Sequence, residues 1–408
     1  MNKNIKLAVA GAVLALSAQA NAGIIIPAGD WTLDVNGNVN AFASWTKADH
    51  ATGDATTVVG GIAASKDATG EGNTQSLNTG LLPSWLGFTG TTRQNDTDVS
   101  FTISMQPNVS DNGSAGDSQT NGPLWRQTFL TFGDKSWGSV KLGKDIGIFA
   151  SDAILNDMTL LGVGAAASTT SGNVTSLGGI GSGYMYASWK GQVAYTTPNF
   201  NGFQATVGIV NPNMGIQNGG PATFNNTLYQ DRFGMEGKAS YSFTGDQFSG
   251  KVWVGGLSQK VTTGSTAVAD YTITAGDIGA NVNAGNAGLT AYYYKGDGLG
   301  TTFFAANGFH STFGKRDSDG GYLQATYILP TKTKFGLAYG RSNLDLASGE
   351  AALANTLVDQ NERMTAGLYH PLTKHLNLVA EWNSIESKAH GGNKQEAKTG
   401  SLGAILFF

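Results

Sequence analysis

The chain has 408 residues with 58 Gly, 8 Trp, 13 Tyr, 19 Phe and no Cys, and 13% of its side chains are charged, against roughly 25% in a soluble domain. With 25 basic and 29 acidic side chains the formal charge is −4, which excludes the basic footprint of a nucleic-acid binder. No cysteine means no disulfide scaffold, and no later segment holds the ~18 uninterrupted apolar residues of a membrane-spanning helix.

The N-terminus sets the compartment. Lys3 and Lys6 precede an apolar stretch, Leu7 to Ala18, and Ala20-Asn21-Ala22 supplies the small residues a signal peptidase needs. The stretch is too short to cross a bilayer, which takes ~20 residues. Residues 1–22 are therefore expected to be a secretory signal, and 23–408 a single domain outside the cytoplasm.

From Trp31 the chain alternates. Trp31, Leu33, Val35, Gly37, Val39, Ala41, Ala43 and Trp45 are apolar or small, while Thr32, Asp34, Asn36, Asn38, Asn40, Ser44 and Thr46 between them are polar, with Phe42 the exception. Side chains of a strand point alternately to opposite faces, so this run has one apolar and one polar face with Trp at each end of the apolar one. A tilted membrane strand needs ~9–11 residues and carries aromatic girdles at both interfaces. A soluble sandwich strand fits the length and the paired Trp less well.

About 16 such runs follow one another, near 31–46, 84–93, 97–106, 125–133, 137–145, 184–197, 202–211, 229–243, 248–260, 270–282, 287–296, 320–330, 333–342, 362–371, 375–386 and 398–408. Short turns such as Gln94-Asn95-Asp96, Gly245-Asp246 and Gly285-Asn286 alternate with long loops near 47–83, 107–124, 146–183, 212–228, 261–269, 297–319, 343–361 and 387–397. An even strand count with short turns at one end and long loops at the other is the layout of an up-and-down membrane barrel. Backbone N–H and C=O groups find no partner in hydrocarbon, so such a sheet must close on itself. At ~16 strands the lumen is too wide for side chains to fill and holds water. The expected fold is all-β, a transmembrane antiparallel barrel.

Several segments resemble the general diffusion porins of Gram-negative bacteria, trimers of 16-stranded barrels. Ser84-Trp85-Leu86-Gly87-Phe88-Thr89-Gly90 is similar to the family's second-strand motif. Trp125-Arg126-Gln127-Thr128-Phe129 with Gly138 to Lys144 resembles the hairpin leading into loop 3, and Val193-Ala194-Tyr195 with Pro198-Asn199-Phe200 resembles the next one. The resemblance implies passive diffusion of small hydrophilic solutes and ions across the outer membrane, with no reaction chemistry and no cofactor. It also implies a homotrimer in outer-membrane lipid, whose terminal Phe408 is read by the barrel assembly machinery. Loop 3 is expected to fold into the lumen through Ser151-Asp152-Ala153-Ile154-Leu155-Asn156-Asp157-Met158, with Asp157 matching a family acid and Arg126 a wall arginine. The family's second acid falls at Leu161, its second-strand arginine at Trp85 and a third near Ser188, two residues from Lys190.

Strand phase adds the rest. With the apolar set facing lipid, the inward bases are Arg93, Arg126, Lys141, Lys190, Arg232, Lys238, Lys251 and Lys334. The inward acids are Asp34, Asp98, Glu236 and Glu381, joined by Asp157 from the loop. Eight against five points to a weak anion preference. A substrate-selective channel, an outer-membrane barrel enzyme and an adhesin are the alternatives, but no Gly-x-Ser-x-Gly elbow follows a strand. The pair His370 and His375 lacks the ligand count of a metal site.

Overall fold

The computed structural model describes residues 23–49, 58–64, 72–107, 109, 124–165, 175–212, 231–262, 269–310, 312–350 and 356–408, so the expected signal at 1–22 lies outside the described residues. The strands are β1 (Ile24–Ala28), β2 (Trp31–Ala48), β3 (Asn73–Asn78), β4 (Trp85–Gln94), β5 (Thr97–Gln106), β6 (Leu124–Asp134), β7 (Gly138–Ile146), β8 (Trp189–Thr196), β9 (Phe203–Val210) and β10 (Gly234–Thr244). They continue as β11 (Phe248–Val261), β12 (Tyr271–Ala284), β13 (Ala287–Asp297), β14 (Phe309–His310), β15 (Gly314–Lys315), β16 (Asp317–Ile328), β17 (Lys334–Leu344), β18 (Val358–Pro371), β19 (Leu376–Ala389) and β20 (Lys394–Phe407).

Each wall strand pairs antiparallel with its sequence neighbours, and β20 returns to β2 through Asn38↔Phe407 to Ala48↔Ala397, giving a closed barrel of 16 staves. Closure is completed at the chain end, where the Gly37 and Phe408 backbones exchange hydrogen bonds of 2.8 and 3.0 Å. Gly37 is required there, because a Cβ would stand 2.2 Å from the Trp85 carbonyl oxygen. Each of the sixteen expected runs corresponds to a wall strand.

The differences are at the ends. β1 forms a hairpin with the start of β2, Ile24↔Val35 to Ala28↔Trp31, and continues the line of β20; its consecutive isoleucines show no alternation to read. The expected loop 387–397 is a tight turn between Ala389 and Lys394, with β19 and β20 running up to it in register. Beyond the bilayer the outer face no longer meets lipid, so apolar alternation fades while the backbone ladder continues. The β18 start at Val358, inside the expected loop 343–361, has the same cause.

The outer face is apolar, with Val39, Trp45, Ile103, Leu130, Val193, Val207, Met235, Val254, Ile278, Leu337, Leu368, Trp382 and Leu402 exposed. In water this would be an extensive exposed patch; in hydrocarbon it costs nothing. The inner face carries the polar partners. Phe42 sits in the inner phase and is buried against Val163, Tyr369 and Val379, which explains why it interrupts the polar set of β2.

Candidate functional site: a loop-lined lumen

Loop 3 follows β7, and its described residues (147–165 and 175–188) are held against lumen-facing side chains around much of the ring. It carries helix α1 (Ser151–Leu155) and a 3-10 turn (Met158–Leu161). The Ile148 and Phe149 N–H groups donate to Glu236 Oε2 at 2.7 and 3.0 Å, and Ala150 N–H to Asp277 Oδ2 at 3.2 Å. Tyr322 donates its hydroxyl to the Ala153 carbonyl, and Met158 N–H donates to Gln324 Oε1 at 2.7 Å. Farther on, Val163 and Gly164 N–H both donate to Glu381 Oε2, and Tyr369 OH donates to its other oxygen. Irregular backbone at membrane depth is tolerable only in such a setting, buried in protein or lining a cavity.

The expected acids of loop 3 are both in the lumen and both buried. Asp152 accepts from Lys238 at 2.9 Å and pairs with Lys251. Burial alone would raise its carboxyl, yet the two ammonium groups outweigh this and hold it below the ordinary value. Asp157 caps the 3-10 turn through Thr159 N–H and accepts from Gly179 N–H and Tyr184 OH, with Arg363 3.7 Å away. Lys190 pairs with Glu236, both buried.

The remaining bases divide. Lys141 faces the lumen, pairs with Asp145 and lies over the Phe129 ring. Arg93 binds Asp98 and Asp134 at 2.8 and 2.9 Å beside the short turns. Lys334 stands over the Tyr369 ring. Arg232 lies before β10 against Asp231 and is largely exposed. Arg126 is not brought to the lumen cluster: a bulge between Ser104 and Met105 shifts the local phase, and its guanidinium sits 5.8 Å from the Trp189 ring centroid. Trp189 shares its strand face with exposed Val193. That bulge could not be read from alternation. Asp145, Asp277 and Arg363 were missed, although Asp145 lies four residues from Lys141 on a strand and so shares its face.

In the pairs that Lys141, Lys238 and Lys251 make with Asp145 and Asp152, the carboxylate is the hidden member. Lys141 is 29% exposed against 4% for Asp145, and Lys238 and Lys251 are 20% and 28% exposed against 6% for Asp152.

The fold and its lumen define a class: closed antiparallel barrels with an apolar outer belt, short turns at one end and loops folded into a polar interior, which are outer-membrane channels. The sequence profile of the Gram-negative porins matches residues 7–390, and the chain belongs to that family. It is therefore an outer-membrane channel for passive diffusion rather than an enzyme. Among solved structures it is similar to the outer membrane channel DcaP of Acinetobacter baumannii, at 16% identity and a TM-score of 0.67, covering 94% of this chain and 99% of that one. It is also similar to Salmonella typhi OmpF in complex with daunomycin, at 15% identity and TM-score 0.58, covering 94% and 100%. The trimer form of in-vitro folded OmpT of Vibrio cholerae matches at 15% identity and TM-score 0.54, covering 93% and 99%. No curated protein sequence matches significantly.

Proposed function

We propose that the channel prefers anions weakly and that loop 3 borders its narrowest part. What supports this is the asymmetry of the lumen pairs. Lys141, Lys238 and Lys251 turn ammonium groups toward water while Asp145 and Asp152 lie beneath the surface. A mobile ion senses the accessible end of such a pair more strongly than the buried end, because the field of the exposed charge reaches water first. Fixed charge of this kind biases ion passage without holding a solute.

Homotrimerisation follows the family resemblance and the trimer form of the Vibrio cholerae protein. The outer face offers apolar and small residues suited to lipid or to a neighbouring barrel, and Phe408 is the residue that the assembly machinery would read. Reversal potential in a salt gradient across a planar bilayer tests the ionic preference. Anion-side potentials are expected, moving toward the cation side in the double variant Lys141→Glu/Lys251→Glu; a wild-type channel that is clearly cation-selective refutes the proposal.

A further inference from the structure

The inner face of the barrel is wet on one side and dry on the other, although all of its strands alternate alike. On β10 to β12 the inward side chains Lys238, Ser240, Lys251 and Asn281 are partly exposed, and on β4 to β7 so are Thr89, Thr102, Phe129 and Lys141. On β19 every inward side chain from Asn377 to Ala389 is buried, as are those from Gln395 to Phe407 on β20 and from Asn361 to Tyr369 on β18. A lumen open across its full width would wet both sides.

Among the described residues three chain segments cover the dry side, and two of them come from the stretch between β2 and β4. The segment Val58 to Ala64 lies on the inner wall. Val59 exchanges backbone hydrogen bonds with Thr356 and Val358, at 2.7 and 2.9 Å. Val58 N–H donates to Gln395 Oε1, and Ile62 and Ala63 N–H donate to Ser387 Oγ at 2.9 and 3.0 Å. Ala63 then packs with Ala165 of loop 3 and with Ile385 and Ala397 of the wall. The second segment, 79–84, interrupts the stave formed by β3 and β4. There six residues stand opposite only three of β2, since Phe42 pairs with Asn78 and Asn38 with Trp85. The extra chain turns into the lumen, where Asn38 and Asn40 side chains donate to the carbonyls of Pro83 and Leu82. Leu81 N–H reaches the Gly162 carbonyl at 2.9 Å. Gly80 permits this approach, because a Cβ would lie 2.3 Å from the same oxygen. The third segment is the turn of loop 3 itself, Gly162 to Ala165, hung from Glu381.

We infer that these three segments form a partition which seals the β18–β20 side, so that solutes cross eccentrically past the partly exposed inner faces of β4 to β7 and β9 to β12, and that residues 58–64 are a second restriction seated on loop 3. The inference rests on the channel reading and deepens it: Lys141, Lys238 and Lys251 become the selectivity groups because they line the one wet wall. Solutes carrying negative charge meet ammonium, hydroxyl and amide groups there, while the polar groups of β18–β20 never touch them.

The chain has no cysteine, so single cysteines report accessibility cleanly. Thr102→Cys, Lys141→Cys and Lys251→Cys on the wet wall are compared with Asn383→Cys, Ser387→Cys and Ser401→Cys on the dry one. Each is reconstituted in a planar bilayer after its heat-modifiable gel mobility has shown a folded barrel, and is treated with a charged methanethiosulfonate reagent. Modification should lower single-channel conductance by roughly half at the wet positions and leave the dry ones unchanged. Replacing 58–64 by a Gly-Ser segment of equal length should raise conductance and make Ser387→Cys reactive. Equal block on both walls, or a replacement that changes neither conductance nor reactivity, overturns the partition. A wild-type chain that carries no current overturns the channel reading instead.

Discussion

Two stretches of the same wall, β10–β12 and β18–β20, have the same pairing, the same alternation and the same apolar outer face, yet the first keeps part of its inner face open to water and the second does not. Lys251 and Asn281 stand in water on one, while Glu381, Asn383 and Ser387 are buried under loop chain on the other. Alternation decides which face a residue occupies; what then covers that face is decided by loops arriving from 200 or 300 positions away, as Ile62 does at Ser387 and Gly164 at Glu381. The physical difference is solvation. A charge in the wet sector keeps part of its hydration, whereas one in the dry sector depends on protein partners for all of it.

The largest expected effect lies where loop 3 first meets the wall. Glu236→Ala removes the acceptor of two backbone N–H groups and leaves Lys190 as a buried charge without its partner. The loss should be about 3–5 kcal/mol, read from denaturant unfolding of the detergent-solubilised barrel. A loss within error would mean that water reaches Lys190 and relieves its unpaired charge, against the burial of both partners.

Next comes the outer face. Val254→Lys, near the middle of β11, should cost about 2–4 kcal/mol, while Gln204→Lys on the inner face should cost little. Similar costs for both would contradict the assignment of faces on which the sector comparison stands. Within the dry sector, Glu381→Gln keeps the shape but replaces charge-assisted hydrogen bonds to Val163, Gly164 and Tyr369 with neutral ones. A loss of about 1–2 kcal/mol is expected with conductance unaltered, and altered ion selectivity would place Glu381 on the permeation path.

The smallest effect concerns acid. Asp152 has a folded-state pKa below its reference value of 3.8, so its contribution is complete above that value and is lost only as pH falls through the lower, folded one. The Asp152 contribution to ion selectivity should therefore hold steady from neutral pH down to about 4, and selectivity should turn more anionic only as pH falls through the lower folded value, as Lys238 and Lys251 lose their counter-charge. In Asp152→Asn that enhanced preference should already be present at neutral pH. Selectivity that drifts between pH 7 and 5 would show another group in control.

Much of this was legible in the sequence. The alternation from Trp31 to Trp45 is visible without a structure because lipid on one side and water on the other select side chains two by two. It carried the strand count, the closure and the inward placement of Lys141, Lys190, Lys238 and Lys251. Arg126 escaped that logic, since one extra residue at a bulge reverses the phase and leaves no mark on the pattern. The ends of β19 and β20 escaped it because above the bilayer nothing selects the outer side chain.

Alternation and strand number are local properties, and the sequence by itself determined them: a closed sheet, oil outside and polar groups within. Only the tertiary structure decided how the interior is divided. Phe42 read as an irregularity until Val163 and Tyr369 were found packed on it, and Gly80 read as loop glycine until its close approach to Gly162 was seen. Both answer to segments more than 80 residues away along the chain. Such contacts depend on where a folded loop comes to rest, and no repeating pattern in the residues themselves records that position.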